Sequence, residues 1–369
     1  MVEVLAVVAF SFMTTLILVP AANLLGRRLD AVDRPDIRRI HKKDISRTGG
    51  FVLFIISILV VTFLWCNNYG SQGKESLQHI LYLFPALVLI GILGVIDDVR
   101  GADVWTKLFY QMAAAVFVMT SGLAINRIVI PFDGSVGMGY FAYPLTLLWI
   151  VGITNAYNLI DGMDGLACGV GGTVAFATSV IGFVNGSFLA ASVSLSLAVY
   201  LFTFLLFNRF PAKIFLGDTG SLLTGFLIAT TSLACFTRGD GPTQFFPMVV
   251  VNALVIWDTS FVFLLRLWKG RSPFSPGLDH IHHRMLGFTK SVRSSVRSIL
   301  LLNLLIVLVG VSLMDRVLLE PVTGFLTILI LLSLAISNRA RCVLSALVGY
   351  SGYGGENNPD ETSDNAETR

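Results

Sequence analysis

The sequence predicts an all-α protein, a helical bundle that is integral to a membrane and crosses it many times. Three observations support this fold class: an apolar composition, apolar stretches of spanning length, and basic residues concentrated in alternate loops. Of the 369 residues, 54% are hydrophobic and 13% are charged, and the mean hydropathy is +0.77. A soluble domain carries about 25% charged residues, so the composition excludes a soluble enzyme, a disulfide scaffold, a collagen and a disordered regulator.

The apolar stretches are long enough to be transmembrane helices. A hydrocarbon core of ~30 Å takes about 20 helical residues, and the sequence contains about eleven such spans. The first lacks a preceding basic region and a small-residue cleavage site, so we expect a retained anchor and not a signal peptide. The spans lie near residues 4–25, 48–66, 78–96, 106–123, 141–157, 168–184, 188–207, 220–236, 245–267, 298–314 and 322–338.

Lysine and arginine are unevenly divided between alternate loops. Of the 26 basic residues, all but Lys74, Arg127, Arg238 and Arg316 lie in one set of alternate loops and in the C-terminal tail. Loops rich in Lys and Arg stay in the cytoplasm. The pattern therefore predicts an N-terminus outside and a C-terminus in the cytoplasm.

The domain organisation is simple. We predict a single transmembrane catalytic domain over residues 1–350, followed by a disordered polar tail over residues 351–369. The four cysteines have no metal-type spacing. The net charge of +3 is too small to indicate a nucleic-acid partner.

The loops on the predicted cytoplasmic side carry polar residues that the outer loops lack. Ionisable groups at a membrane edge are costly and are therefore candidate functional groups. Asp and Asn oxygens suit Mg²⁺, while lysine and histidine suit phosphate oxygens, so the mixture indicates phosphoryl transfer. The set comprises Asp97, Asp98, Lys107, Asn155, Asn158, Asp161, Asp164, Asn208, Lys213, Asp218, Asp279, His280, His282 and His283.

The histidines allow a second interpretation. Imidazole is the commonest zinc ligand, so His280, His282 and His283 could form a zinc site instead of a phosphate site. If this segment were helical, adjacent side chains would point about 100° apart, so the three ligands could converge only in a loop. Both interpretations stay open at this point.

Four sequence blocks resemble the signatures of a known enzyme family. They are GVIDDVRG at 94–101, NAYNLIDGMDGLA at 155–167, NRFPAKIFLGDTGS at 208–221 and SPFSPGLDHIHHR at 272–284, and HKKDISRTGG at 41–50 extends the match. Their order, spacing and sidedness are similar to those of the polyprenyl-phosphate N-acetylhexosamine-1-phosphate transferases.

This resemblance implies a reaction and a location. A hexosamine 1-phosphate passes from a UDP-sugar to a polyprenyl phosphate, usually undecaprenyl phosphate in bacteria, and UMP is released. The expected location is the bacterial cytoplasmic (inner) membrane, with the active site on the cytoplasmic face, and the product starts a cell-envelope glycan.

The last block also indicates the donor. SPFSP followed by DHIHH is similar to the branch that uses UDP-N-acetylglucosamine. The peptidoglycan translocase branch uses a UDP-muramoyl pentapeptide and carries three consecutive histidines. UDP-GlcNAc is therefore the expected donor, with another UDP-N-acetylhexosamine as the alternative, and a homodimer stays open.

The resemblance further implies roles for individual residues. Asp218 and Asn158 would be ligands of Mg²⁺, for which Mn²⁺ could substitute. Lys107 would contact the diphosphate, and Asp164 and Asn208 would recognise uridine. The other substrate-binding residues that the blocks imply are Asn155, His280, His282, His283 and Arg284.

Two catalytic routes stay open. In the first, the lipid phosphate attacks directly. The resemblance leaves Asp97 and Asp98 open as metal ligands, as acceptor-side residues or as a base, and their mutual repulsion favours a base. Because a phosphate has a second pKa of about 6 and is mostly ionised at neutral pH, such a base is helpful rather than necessary. In the second, Asp218 or Asp161 is a nucleophile that forms an aspartyl-phosphate.

The main alternative to an enzyme is a secondary transporter. A transporter also places polar residues at broken helices, but its site lies near the midplane between repeated halves. The sequence shows no repeat, and its polar residues cluster toward one face.

Overall fold

The computed structural model describes residues 2–34, 44–67, 74–130, 134–237, 241–273 and 277–314. These residues belong to one compact unit. The eleventh predicted span at 322–338 and the predicted tail at 351–369 lie outside the described residues, and so do residues 41–43 and 274–276 of the sequence blocks. The predicted boundary between domain and tail therefore stays a prediction.

Helices dominate the described chain, and they lie at the first ten predicted spans. A short helix at 281–289, which the span prediction does not include, carries the histidines. The helices are α1 (Val2–Arg28), α2 (Gly49–Cys66), α3 (Lys74–Arg100), α4 (Val104–Thr120), α5 (Ala142–Ile160), α6 (Leu166–Asn185), α7 (Phe188–Asn208), α8 (Gly217–Cys235), α9 (Phe245–Val251), α10 (Ala253–Trp268), α11 (Ile281–Thr289) and α12 (Val292–Ser312).

Several of these helices are long and apolar enough to cross a membrane. Among the described residues six qualify, namely α1, α2, α3 over Tyr82–Arg100, α6, α7 and α12, and the bent pair α9 and α10 would make a seventh. The chain is therefore a polytopic helical membrane protein, as predicted. A total of about eleven spans and the side of each terminus stay predictions.

The ninth predicted span is not one straight helix. α9 and α10 meet at an angle of 78°. The break lies at Asn252, whose side-chain amide donates to the carbonyl of Met248 at 3.0 Å. An Asn side chain that bonds the preceding turn competes with the regular helix ladder, and hydropathy alone does not reveal this competition.

The prediction of a purely α-helical fold needs a small correction. β1 (Val32–Asp33) pairs antiparallel with β2 (Ile45–Ser46), and β3 (Arg127–Val129) pairs antiparallel with β4 (Ser135–Gly137). Strands of two or three residues are too short to produce a readable alternation of polar and apolar residues. The loops outside the helices thus satisfy part of their backbone by pairing with each other.

β2 and the start of α2 are joined to the segment that precedes α8. The backbone N–H of Phe215 donates to Ser46 at 2.8 Å, and the N–H of Gly50 donates to Leu216 at 2.7 Å. The described part of the first block, residues 44–50, therefore lies beside the block at 208–221, although the two are far apart in the sequence.

α8 is the central helix of the bundle and is buried along almost its whole length. Glycines allow its neighbours to approach it closely: a Cβ on Gly50 of α2 would overlap the backbone of Gly220, and one on Gly94 of α3 would overlap Thr219. A Cβ on Gly225 of α8 would lie 2.7 Å from Cα of Thr154 in α5. Small residues at helix crossings permit backbone contact, so three helices converge on α8.

We expect Gly50→Ala to destabilise the protein and Gly152→Ala to leave it as stable or more so. A methyl group at Gly50 meets backbone atoms that cannot move aside, and overpacking of this kind costs about 1–3 kcal/mol. Gly152 lies in α5 with open space around its Cβ position, and alanine there gains about 0.5–1 kcal/mol of helix propensity. Thermal unfolding of the two purified variants compares them, and equal melting temperatures would contradict the close α2–α8 contact.

Candidate active site

Asp98, near the end of α3, holds the start of α8. Its carboxylate accepts hydrogen bonds from the backbone N–H of Asp218 at 2.8 Å, from the N–H of Thr219 at 3.0 Å and from the Thr219 hydroxyl at 2.6 Å. Leu216, at the N-cap position, offers no side-chain cap. A carboxylate at a helix N-terminus satisfies free N–H groups and interacts favourably with the helix dipole. Asp98 thus fixes the first turn of α8.

Asp218 in that first turn is in contact with Asn158 of α5. The Asn158 amide donates to Oδ1 of Asp218 at 2.7 Å and to the Ser221 hydroxyl at 2.9 Å. The structure therefore brings together the two residues predicted to bind Mg²⁺. Because the amide group of Asn158 faces Asp218, its carbonyl oxygen is left for another partner.

The loop between α5 and α6 is tied to the segment that follows α7. Asp164 accepts from the backbone N–H of Ala212 at 2.9 Å. Asn208, which is buried, accepts from the N–H of Gly165 at 2.9 Å and donates to the carbonyl of Ile214 at 2.9 Å. The two predicted uridine-binding residues are thus engaged with backbone, and they hold the two loops in register.

Asp161, in the same loop, lies among other carboxylates. Burial, with smaller contributions from the charges of Asp218, Asp98 and Asp164, raises the pKa of Asp161 to about 7, and Arg47 opposes this rise. Carboxyl groups that repel one another in a partly dehydrated place favour a bound cation. Three of the four predicted catalytic aspartates therefore belong to one cluster.

The donor chemistry of this cluster fits a magnesium ion. Mg²⁺ in enzymes is bound by one or two carboxylates, with waters and substrate phosphates as its other ligands. Asp218 and Asn158 each carry a side-chain oxygen of this kind, and the two side chains are in hydrogen-bond contact. Among the described residues no three His, Cys, Asp or Glu side chains are arranged to hold a metal, so the protein's share of the coordination would be small.

The histidine segment is anchored by Asp258 of α10. Oδ2 of Asp258 lies 2.9 Å from Nδ1 of His280, and Oδ1 accepts from the backbone N–H of Ile281 at 2.7 Å. Both Asp258 and His280 are buried. The carboxylate therefore caps α11 and orients the His280 ring with Nε2 directed away from Asp258.

His282 connects α11 to the carboxylate cluster. A Cβ on Gly162 would overlap the His282 ring, so the imidazole lies directly on the backbone of the loop that carries Asp161. Burial, with a smaller contribution from the charge of His283, lowers the pKa of His282 to about 3. His282 is therefore neutral at physiological pH, and it can donate a hydrogen bond without carrying a charge.

The three histidines do not converge as metal ligands would. The His280 and His282 rings are stacked with centroids 5.8 Å apart, and the His282 and His283 centroids are 4.3 Å apart. His282 and His283 lie in a helix and not in the loop that a zinc site would require. Arg284 places its guanidinium over the Phe261 ring at 4.3 Å. The geometry gives no support to the zinc interpretation.

Asp97 is adjacent to Asp98 in the sequence but contacts a different part of the protein. Asp97 is buried, forms an ion pair with Lys107 and accepts from the N–H of Ala102 at 2.8 Å. Asn155 exchanges two amide hydrogen bonds with Gln111 of α4, at 2.6 and 3.2 Å. Asp97, Lys107 and Asn155 were all predicted as site residues. Their contacts join the ends of α3 and α5 to α4 and to the loop before α4.

Several proteins are similar in sequence to this chain over most of its length. A sequence model described as "Glycosyl transferase family 4" matches residues 80–236. The chain is 34% identical to a probable undecaprenyl-phosphate N-acetylglucosaminyl 1-phosphate transferase of Bacillus subtilis, over 80% of this chain and 82% of the relative. It is 32% identical to a decaprenyl-phosphate N-acetylglucosaminephosphotransferase of Mycobacterium leprae, over 81% of this chain and 80% of the relative. The chain belongs to the polyprenyl-phosphate hexosamine-1-phosphate transferase family.

This polyprenyl-phosphate transferase family also includes enzymes with a different sugar. A phospho-N-acetylmuramoyl-pentapeptide-transferase of Clostridium botulinum is 31% identical over 81% of this chain and 92% of its own length. Family membership therefore confirms the resemblance read from the sequence blocks and favours a transferase over a transporter. It does not by itself determine the sugar.

Sequence reasoning missed several residues of this transferase that the structure places at the site. Asp258 is an isolated carboxylate in the predicted span at 245–267, and an ionisable group within a span is a functional candidate by default. The same signal applies to buried Arg266, which donates to the carbonyl of Pro273 at 2.8 Å. Ser221 ends the block NRFPAKIFLGDTGS, whereas Gln111 lies outside the blocks and carries no such signal, because uncharged polar residues are common in membrane helices.

We expect Asp258→Asn to lower the transferase rate by about ten- to a hundredfold, since hydrogen bonds to charged groups are worth about 1.5–3 kcal/mol. An amide oxygen can still accept from one partner, but it cannot serve both Ile281 and the Nδ1–H of His280 as a carboxylate does. The measurement is the rate of lipid-linked sugar formation, with Asp103→Asn, an exposed aspartate outside the sequence blocks, as the control. Unchanged kinetics in Asp258→Asn would show that the anchoring of α11 has no catalytic importance.

Proposed function

We propose that this protein transfers N-acetylglucosamine 1-phosphate from UDP-GlcNAc to undecaprenyl phosphate and releases UMP. The observation that carries the proposal is that three sequence blocks meet at one place. Asp218 lies at the start of α8, Asn158 and Asp161 lie at the end of α5, and His282 of α11 packs against the loop between α5 and α6. Oxygen ligands, carboxylates and the neutral imidazole of His282 together suit a nucleoside diphosphate sugar.

The proposed step is a direct displacement at phosphorus. A phosphate oxygen of the lipid forms a bond to the β-phosphorus of the donor, and the bond from that phosphorus to the bridging oxygen breaks. The bridging oxygen and its electron pair leave with UMP. Bound Mg²⁺, held by Asp218 and Asn158, would supply charge neutralisation at the diphosphate.

The chain's own groups then have positioning and binding roles. His280, His282, His283 and Arg284 would donate hydrogen bonds to sugar-phosphate oxygens, and Lys107 would add positive charge toward the diphosphate. Asp164 and Asn208 would border the uridine. In this scheme Asp98 keeps Asp218 in place, because three of the carboxylate's lone-pair positions are already used by α8.

The proposed location follows from the distribution of charge. The ends of α3, α5 and α7 and the start of α8 carry the polar blocks, and they belong to the Lys- and Arg-rich set of loops. By the positive-inside rule this end faces the cytoplasm, where UDP-sugars are made. We therefore place the reaction at the cytoplasmic face of the bacterial inner membrane, as the first step of a cell-envelope glycan.

A transfer assay with several donors tests the substrate. Membranes that contain the protein receive polyprenyl phosphate, Mg²⁺ and one of three labelled donors: UDP-GlcNAc, UDP-GalNAc or UDP-MurNAc-pentapeptide. We expect label to enter the butanol-extractable lipid with UDP-GlcNAc and much less with the others. Preference for UDP-GalNAc would change the proposed sugar to N-acetylgalactosamine and leave the proposed sugar-phosphate transfer unchanged. Preference for the pentapeptide donor would refute the proposed substrate.

An exchange experiment separates direct attack from an aspartyl-phosphate route. Direct attack has no partial reaction, so enzyme freed of polyprenyl phosphate should not exchange labelled UMP into UDP-GlcNAc. A covalent intermediate on Asp218 or Asp161 should allow exchange at a rate comparable to turnover. Addition of polyprenyl phosphate provides the positive control, because the reverse reaction then becomes possible.

A further inference from the structure

A cleft opens where α7 ends and α12 begins, and it shares Asp164 with the carboxylate cluster. It encloses about 630 Å³ and is lined by the segment 205–213, by the first turns of α12 and by the edge of the α5–α6 loop. Two of its lining residues, Asp164 and Gly165, form hydrogen bonds with Ala212 and Asn208 respectively. The cleft therefore touches the back of the loops that border the candidate active site.

The polar lining of the cleft is strongly basic. Its four cationic side chains are Arg209, Lys213, Arg293 and Arg297, against the single carboxylate of Asp164. None of the four forms a salt bridge with a carboxylate within the part of the chain that the structure describes. Several unpaired cations around one cavity attract an anion and can form several hydrogen bonds with it.

The rest of the lining is apolar. Leu205, Leu206 and Phe207 of α7 face Val296 and Leu300 of α12. Arg293 lies over the ring of Phe210, with its guanidinium carbon 5.7 Å from the ring centroid. The cavity thus has an apolar wall as well as its four cationic side chains. A small hydrophilic anion would contact the cations and leave the apolar wall without a partner.

The position of the cleft along the helices indicates the ligand. α7 and α12 are both long and apolar enough to span a membrane, and the cleft lies at the C-terminal end of the one and the N-terminal end of the other. Leu206 and Leu301, just inside these ends, are 53% and 63% exposed, as lipid-facing residues are. The cations therefore lie at the depth of lipid headgroups, and the leucines lie at the depth of acyl chains.

We propose that this cleft binds one anionic phospholipid of the surrounding leaflet. Its phosphate contacts Arg293 and Arg297, which are four residues apart on one face of α12, and an acyl chain packs against Leu206 and Leu300. Basic pockets between transmembrane helices on the cytoplasmic side are suited to anionic headgroups. The bound lipid would brace the segment 209–213 that holds Asp164 in place.

The test uses the full-length protein, stripped of lipid in a neutral detergent and titrated with dioleoyl phosphatidylglycerol under native mass spectrometry. Phosphatidylcholine of the same chain length is the comparison lipid. We expect one phosphatidylglycerol to bind more tightly than phosphatidylcholine. In the double variant Arg293→Gln/Arg297→Gln that affinity should fall about ten- to thirtyfold, since each surface cation contributes about 1 kcal/mol toward an anionic lipid.

Arg27→Gln/Arg28→Gln is the matched control. These two arginines are exposed at the end of α1, and their replacement by glutamine removes the same amount of charge as the cleft variant does. They lie at the same end of the bundle, since Gly26 packs against Ser46, which pairs with Ile214. The control should bind phosphatidylglycerol like the unaltered protein.

Four outcomes would overturn the proposal. Equal affinity for the two lipids would remove the role of the headgroup charge. Equal losses in the cleft and control variants would reduce the effect to overall charge. Displacement of the lipid by excess inorganic phosphate would make the cleft a site for free anions, and displacement by UDP-GlcNAc would make it part of the nucleotide site.

Discussion

Asp218→Asn is expected to lower the rate of sugar-phosphate transfer by about 10²–10³-fold, the usual cost of removing one preorganised group that stabilises transition-state charge. Asparagine keeps an oxygen that can accept from Asn158, so the contact between α5 and α8 survives. What it loses is the negative charge that a divalent cation requires. The measurement is the initial rate at saturating Mg²⁺, with thermal unfolding to verify the fold.

The control for this variant is Asp103→Asn. Asp103 is exposed near the same end of the bundle, and its carboxylate caps α4 through the N–H of Trp105 at 3.2 Å. Asparagine is an equally good N-cap, so this change should leave the rate within about twofold. Near-normal turnover of Asp218→Asn would refute the assignment of Asp218 as a metal ligand.

Asp98→Asn is expected to have the second largest effect, a loss of about a hundredfold in rate together with a lower melting temperature. Two backbone N–H groups and one hydroxyl donate to the Asp98 carboxylate, and an amide turns its NH₂ group toward at least one of these donors. A buried donor left unsatisfied costs about 1–3 kcal/mol. The first turn of α8, with Asp218, would then shift.

The pH profile distinguishes this positioning role from general base catalysis. If Asp98 positions α8, the fractional loss in Asp98→Asn is the same at every pH, and stability falls in parallel. If Asp98 is a base, the variant removes the acidic limb of the profile and leaves the melting temperature nearly unchanged. The second result would restore the base interpretation and contradict the cap.

Most of the helical architecture could be predicted from the sequence, because a span is a local property. The hydropathy of about 20 neighbouring residues determines whether they can cross a membrane, and helices lie at all ten predicted spans within the described residues. The exceptions have a common cause. The break at Asn252, the helix at 281–289 and the two short hairpins depend on individual hydrogen bonds, which hydropathy does not report.

The sequence by itself also determined the family and predicted which residues carry its chemistry. GVIDDVRG, NAYNLIDGMDGLA and NRFPAKIFLGDTGS are contiguous blocks, so their order and composition can be recognised without a structure. Only the tertiary structure decided which polar atoms of these residues are already hydrogen-bonded within the protein and which can contact a ligand. Asp98 is engaged with a helix 120 residues further along the chain, and Asp258 anchors His280 and Ile281, which lie 22 and 23 positions after it. Such pairings arise because packing against α8 brings distant segments together, and burial there makes every unsatisfied polar group costly.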